Sequence, residues 1–253
     1  MKNIRIVFLV LLFGSVVFLS CTKKNSLTYV NSRSPKNTTK IINGTDVTAQ
    51  DAFTKHLVGI FKKNQTMCTG VLIADNAVIT AAHCASELKG GKISFGFQLR
   101  KLQFRPITQY KVHADYDEGA MGIVDHPVND LLVVQFSGGL PAGYSPAEIS
   151  DQDLIQNQTR VIIAGYGRDE ENHYDTLKST EVSVVETANY EFRTDEKKNG
   201  SCDGDSGGPV FFKNSEGKYL LVGSVSRGDS QCHEFGVYEN MTYYKSWIYS
   251  AIK

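Results

Sequence analysis

A serine hydroxyl is a poor nucleophile at neutral pH. It becomes a useful one when an adjacent base takes its proton, and imidazole titrates in the right range. An imidazole that must hold one tautomer and then carry charge needs a carboxylate behind it. The sequence offers one candidate for each role. Ser206 lies in "SCDGDSGGPVFF" (Ser201 to Phe212), where four glycines or prolines and two acids surround one hydroxyl just before an apolar run. His83 lies in "TAAHC" after a strand-like stretch, and Asp130 lies in "PVNDLLVV" at the entry of another. The remaining histidines, His56, His113, His126, His173 and His233, are read as structural or exposed.

All three candidates border segments that read as strands. These are short, β-branched or aromatic, and bounded by turn residues: His56 to Phe61, Gly70 to Ala81, Lys92 to Phe97, Leu131 to Phe136, Arg160 to Gly167, Ser179 to Glu186, Pro209 to Phe212 and Tyr219 to Ser226. Asp75-Asn76 is a hairpin signal inside the second of them. "SGGLPAGYSP" (Ser137 to Pro146) reads as a linker between two lobes, about 41–137 and 150–240. At the end, Tyr244, Trp247, Ile248, Ala251 and Ile252 recur at helical spacing, which predicts a helix over about 241–253. The pattern predicts an all-β protein of two barrels or sandwiches with a C-terminal helix.

The chain's 253 residues suffice for one large domain or two lobes with real cores. Its 27 basic and 27 acidic residues balance, so charge gives no reason to expect a nucleic-acid partner. Residues 1–20 begin with Lys2 and Arg5 and continue in an apolar run from Ile6 to Leu19, which reads as an export signal, too short for a comfortable membrane span. Export permits disulfides. Cys21 follows in "VVFLSC", which resembles the lipobox of bacterial lipoproteins except that Phe18 replaces the usual leucine. Lipidation there would leave four cysteines, an even set; ordinary cleavage near Ser20 would leave a free or mispaired thiol. The stretch 21–40 is polar and reads as a tether. The chain is therefore expected to be exported, either as a cell-envelope lipoprotein before processing or as a secreted protein.

The order His83, Asp130, Ser206, with "TAAHC" and "GDSGGP" around the outer two, resembles the trypsin/chymotrypsin-like serine peptidases from Ile41 to Lys253. The resemblance implies two six-stranded antiparallel β-barrels with the active site between them. It implies a serine endopeptidase acting through an acyl-enzyme, with His83, Asp130 and Ser206 catalytic and no metal or cofactor required. It further implies an oxyanion hole from the N–H groups of Gly204 and Ser206, each typically worth about 3–4 kcal/mol in the transition state. By the same resemblance Cys68 pairs with Cys84 and Cys202 with Cys232. "AGYG" (Ala164 to Gly167) stands for the family's Gly-Trp-Gly turn.

The resemblance also implies a zymogen. Cleavage after Lys40 would free the Ile41 amino group, which would pair with Asp205 and order the site. The substrate pocket falls on Gly200, Ser226, Gly228 and Gly236, with Gly200 where trypsin-like members carry an aspartate. A neutral pocket predicts a large apolar or aromatic P1 residue, and hence a separate trypsin-like peptidase as activator. Two departures bear on this. Arg227 replaces the family's usual tryptophan, with Asp203, Asp229 or a substrate acid in reach. The missing cysteine pair between Gly167 and Cys202 lets "RTDEKKNG" (Arg193 to Gly200) flank the pocket, where Asp195 or Glu196 could restore basic specificity. The expected partners are protein or peptide substrates, the activator, and a membrane through lipidated Cys21 until cleavage releases a monomeric enzyme. The rival is a non-catalytic secreted binding module on the same fold.

Overall fold

Short β-branched runs separated by tight turns pair with their sequence neighbours, and the chain does this twice. The computed structural model describes residues 41–97, 101–119, 127–168 and 176–253. The expected export signal, Cys21, the tether, Lys40, His126 and His173 lie outside the described residues. The first set of strands is β2 (Leu57–Lys62), β3 (Gln65–Ala74), β4 (Ala77–Thr80), β5 (Lys92–Phe95), β6 (Gln103–Val112) and β7 (Leu132–Phe136), after a two-residue β1 (Thr45–Asp46). These six close into a barrel in the order β2-β3-β4-β7-β6-β5. Lys63 and Asn64, both left-handed (φ 50° and 68°), make the β2–β3 turn. The Asp75-Asn76 signal falls where expected, with Ala74 facing Ala77 across the β3–β4 turn.

The second set is β8 (Arg160–Gly165), β9 (Lys178–Thr187), β10 (Glu191–Asp195), β11 (Pro209–Lys213), β12 (Tyr219–Gly228) and β13 (Phe235–Asn240). Their sheet runs β9-β10-β13-β12-β11-β8, and the β8–β9 pairing closes it; β1 adds to the outside of β9. Closure leaves neither set with an open edge. The two closed six-stranded barrels match the expected architecture. β6, β10 and β13 were not read as strands. β6 contains Pro106 and is mostly exposed, and β10 is "EFRTD"; both form because barrel closure supplies partners on each side.

The two barrels share a core. Val71, Ile79 and Leu131 from the first pack with Phe211 and Leu221 from the second, and with Tyr244 and Ile248 from α2 (Met241–Ala251). Asn240 caps that helix by accepting a hydrogen bond from Thr242 N at 3.0 Å. Its inward residues Met241, Tyr244, Ile248 and Ala251 follow helical spacing. The stretch expected to link the lobes is pinned to the first barrel: Ser145 N donates to Lys55 O (3.0 Å) and Ala147 N to Leu72 O (2.8 Å).

Phe211 is fully buried where this shared core meets β11. Phe211→Ala is expected to destabilise the chain by about 3–5 kcal/mol, as large apolar truncations in cores do. Urea unfolding of an otherwise inert Ser206→Ala chain measures it; a loss below about 1 kcal/mol would mean the two barrels do not share a single core.

Candidate active site

His83 follows β4 on one turn of 3-10 helix (Ala82–Cys84). A Cys68–Cys84 disulfide ties that turn to β3. Asp130 sits just before β7, behind Asn129, which is left-handed at φ 53°. Asn129 is itself fixed, donating to Asp115 O (2.9 Å) and accepting from the Tyr244 hydroxyl (2.9 Å). This bend turns the Asp130 carboxylate inward, where it is 3% exposed. It accepts from the His83 backbone N–H (2.9 Å), from His83 Nδ1 (2.8 Å) and from the Ser226 hydroxyl of β12 (2.8 Å). Burial pushes the His83 imidazole down, but the hydrogen bond and charge of Asp130 outweigh it and leave its pKa raised. With Nδ1 held by Asp130, the rest of the ring, about one-third exposed, faces outward.

The serine turn belongs to the second barrel but is stitched to the first. Thr69 N donates to Ser206 O (2.9 Å), Thr69 Oγ1 donates to Gly204 O (2.9 Å), and Thr80 Oγ1 donates to Thr69 O (2.7 Å). Gly207 is left-handed (φ 78°), and a Cβ there would lie 2.0 Å from Thr80 Oγ1 and 2.6 Å from Ala81 N. Only glycine lets the turn approach the chain two residues from His83 so closely. Within the turn, Asp205 N donates to Cys202 O, Gly207 N to Val225 O and Gly208 N to Asp205 O. Among the described residues, the N–H groups of Gly204 and Ser206 donate to no protein acceptor. No direct hydrogen bond joins Ser206 Oγ to His83 among those residues either. Such contacts often tighten only around substrate.

Asp205 is fully buried. Its carboxylate accepts from Gly167 N (2.8 Å) and Cys202 N (2.9 Å). It occupies the space where side chains at Gly165 and Gly167 would begin, 2.1 Å and 2.4 Å from the built Cβ positions. Burial drives its pKa up to about 7, with those two hydrogen bonds opposing and the charges of Glu196 and Asp203 adding. Ile41 is buried beside Ile155 and Val161, and Ile42 pairs with Gly200. The second disulfide joins Cys202 to Cys232.

Ser206 lines a cavity of about 190 Å³ together with Ser201, Cys202, Ser226 and Gly228. Two expectations about this cavity fail. Gly200 and Gly236 are not among its lining residues: the space beside each is filled by the carboxyl of Glu196, which lies behind Ser201. Arg227 does not reach Asp203 or Asp229. It makes a two-pronged ion pair with the fully buried Glu191 of β10, at 2.8 and 2.7 Å. Asp203 instead pairs with Arg168 (3.2 Å). These partners come from strand register, which no local string encodes.

Sequence reasoning also passed over Glu239. Its Oε1 accepts the Asp130 backbone N–H at 2.8 Å, so a second buried acid braces Asp130. Gly236 to Asn240 are all buried, so no alternation marked Glu239 out in the sequence. Burial raises the Glu239 carboxyl to about 8, with the charges of Glu191 and Asp130 adding and Arg227 opposing.

A model of the trypsin family matches residues 41–248. The chain is 29% identical over 215 residues to the mouse transmembrane protease serine 11C, covering 72% of this chain and 47% of that protein. It is 28% identical over 251 residues to the mouse vitamin K-dependent protein C, covering 84% of this chain and 52% of the relative. Human kallikrein-8 is 29% identical over 216 residues, covering 76% and 80%. The chain thus spans about half of the first two relatives. Its fold is similar to that of neuropsin, a serine protease of mouse brain, with a TM-score of 0.70 at 20% identity over 84% of this chain and all of that one.

The native state keeps a proton on Glu239 that the unfolded chain gives up above its ordinary value of 4.5. Stability from this group therefore falls as pH rises from about 4.5 to about 8. Glu239→Gln keeps the neutral shape without that loss. Its stability relative to wild type is expected to rise by more than 1 kcal/mol between pH 5 and 8, read by urea unfolding at each pH; a difference that does not change with pH would show that Glu239 is ionised in the native state.

Proposed function

Because the chain belongs to the trypsin family, we propose that it is a serine endopeptidase hydrolysing peptide bonds through an acyl-enzyme. Ser206 Oγ attacks the scissile carbonyl while His83 takes its proton. The carbonyl oxygen, now negative, is held by the Gly204 and Ser206 N–H groups. His83 then gives the proton to the leaving amine, leaving Ser206 acylated. Water, activated by the same imidazole, releases the acid and restores the hydroxyl. Asp130 holds His83 in one tautomer and stabilises it when charged. The observation that carries this reading is the His83 Nδ1–Asp130 hydrogen bond, 2.8 Å, beside a serine turn whose two amides have no protein acceptor among the described residues.

The enzyme is made as a zymogen cut between Lys40 and Ile41. Two features support this. Asp205 is a fully buried carboxylate with neutral donors, so a new ammonium group reaching it would supply the missing charge. Ile41 is a β-branched residue at φ 49°, a conformation strained by the preceding carbonyl. Cutting the Lys40–Ile41 bond removes that carbonyl from Ile41 and leaves an α-amino group on a residue whose side chain is already buried. Cleavage also separates the catalytic domain from Cys21, so a lipid there would tether the precursor and not the product. The large apolar P1 preference expected from the sequence required a neutral pocket, and the buried acid Glu196 held directly behind Ser201 argues against it.

The test uses chain cut so that Ile41 is its N-terminus. A fluorophosphonate is expected to label it on Ser206. Ser206→Ala is expected to abolish labelling and lower kcat by about 10⁶-fold. Absence of labelling on correctly cut protein would favour the non-catalytic binding module instead. Asp205→Asn is expected to cut the activity of the cleaved form by more than tenfold. In the uncut chain it should be harmless or stabilising above pH 7, since it removes a carboxyl that the native state resists ionising. Equal activity of cleaved wild type and Asp205→Asn would remove Asp205 from the activation switch.

A further inference from the structure

Directly behind Ser201, which lines the cavity beside Ser206, lies the side chain of Glu196. It stands just past β10, with its N–H donating to Glu234 O (3.1 Å), and it is 1% exposed. Ser201 N (2.8 Å) and Ser201 Oγ (3.2 Å) donate to Oε2. Thr194 Oγ1 (2.9 Å) and the Tyr238 hydroxyl donate to Oε1. All four donors are neutral, and no cation pairs with this carboxyl among the described residues. Burial outweighs those hydrogen bonds and raises its pKa to about 7.

The carboxyl is seated between two glycines. A Cβ on Gly200 would lie 2.2 Å from Oε2, and one on Gly236 would lie 2.3 Å from Oε1. Any side chain at either position would displace it. Ser201 belongs to both settings: it donates to the carboxyl and it lines the cavity that holds Ser206. The two acids on the cavity wall itself are already engaged. Asp203 pairs with Arg168, and Asp229 accepts the backbone N–H groups of Gln231, His233, Glu234 and Phe235.

We propose that Glu196 is the specificity-determining residue of this cavity and selects a lysine or arginine side chain on the substrate residue before the cut bond. This rests on the endopeptidase reading above. A carboxylate out of water with only neutral donors lacks charge compensation, and an ammonium or guanidinium reaching it along Ser201 supplies that in a low-dielectric setting. An apolar side chain on the same path would meet a carboxyl and offer it nothing. The acid arrives from four positions before Gly200, on the cysteine-free stretch Arg193 to Gly200. A consequence follows for activation. Lys40, the residue before Ile41, has the chemistry this cavity takes, so the cleaved enzyme can cut its own precursor without a separate activator.

The experiment uses cleaved chain with Glu196, Glu196→Gln or Glu196→Asp, normalised to the fraction labelled by fluorophosphonate. Paired peptides differ only in Arg or Phe before the cut bond. The Arg peptide is expected to be preferred by at least about 100-fold in kcat/KM. Glu196→Gln is expected to erase most of that preference, and Glu196→Asp to keep part of it. A labelled wild type that prefers Phe or a small residue, or a preference unchanged in Glu196→Gln, overturns the assignment. Benzamidinium binding to cleaved Ser206→Ala chain reads the same site without catalysis. Affinity that falls at least tenfold in Glu196→Gln supports the cation site; affinity indifferent to that change overturns it. Missing fluorophosphonate labelling with Glu196-dependent benzamidinium binding would sink the endopeptidase reading while keeping the cation site.

Discussion

Taking a carboxylate out of water costs several kcal/mol unless the protein replaces the water it loses. This chain does so at five places around one seam: Asp130, Glu191, Glu196, Asp205 and Glu239 are all 3% exposed or less. The Asp130 contact organises the rest. Its oxygens accept from the backbone and ring of His83 on the first barrel and from Ser226 on the second, so one acid fixes the imidazole and the barrel interface together. Its own N–H is taken by Glu239. A displacement of either barrel would leave this buried charge short of donors.

The five acids are satisfied in different ways, and the differences separate their roles. Glu191 has a cation, Arg227, on both oxygens. Glu239 keeps a proton near neutral pH and behaves as a neutral brace. Asp130 is balanced by the imidazole it orients. Asp205 and Glu196 have hydrogen-bond donors without a positive charge. In the readings proposed above, cleavage supplies that charge to Asp205 as an amino group and the substrate supplies it to Glu196. A local shortage of positive charge is what sets these two acids apart from Glu191.

The stitch through Thr69 and Thr80 explains how a turn of the second barrel is aimed at a histidine of the first. Thr69 reaches both Gly204 and Ser206, Thr80 reaches Thr69, and Gly207 allows the approach. The same threonine hydroxyl accepts the Tyr166 N–H at 3.0 Å, which couples the "AGYG" turn and the Asp205 carboxylate lodged in it to the serine loop. Asp205 and the two amides flanking it are thus joined by short, directional contacts.

Local strings were enough to pick out Ser206, His83 and Asp130, because a nucleophile turn and a base turn need particular residues at fixed offsets: Gly207 for close approach, Cys84 beside His83, an inward bend at Asn129. Alternation and turn residues likewise marked most strands, the Asp75-Asn76 hairpin and the terminal helix. β6, β10 and β13 escaped: β6 is mostly exposed and β10 is charged, while β13 is buried on both faces, so none shows clear alternation, and all three exist by closing a barrel. Which of Asp195 and Glu196 turns inward also escaped. Glu196, Gly200, Ser201 and Gly236 are brought together by pairings between β10, β13 and a loop, and the sign of charge in a cavity depends on which side chains those long-range pairings turn inward. Residue identity at single positions set the chemistry this chain carries; the tertiary fold decided which acids lost their water, and so where a positive charge is wanted.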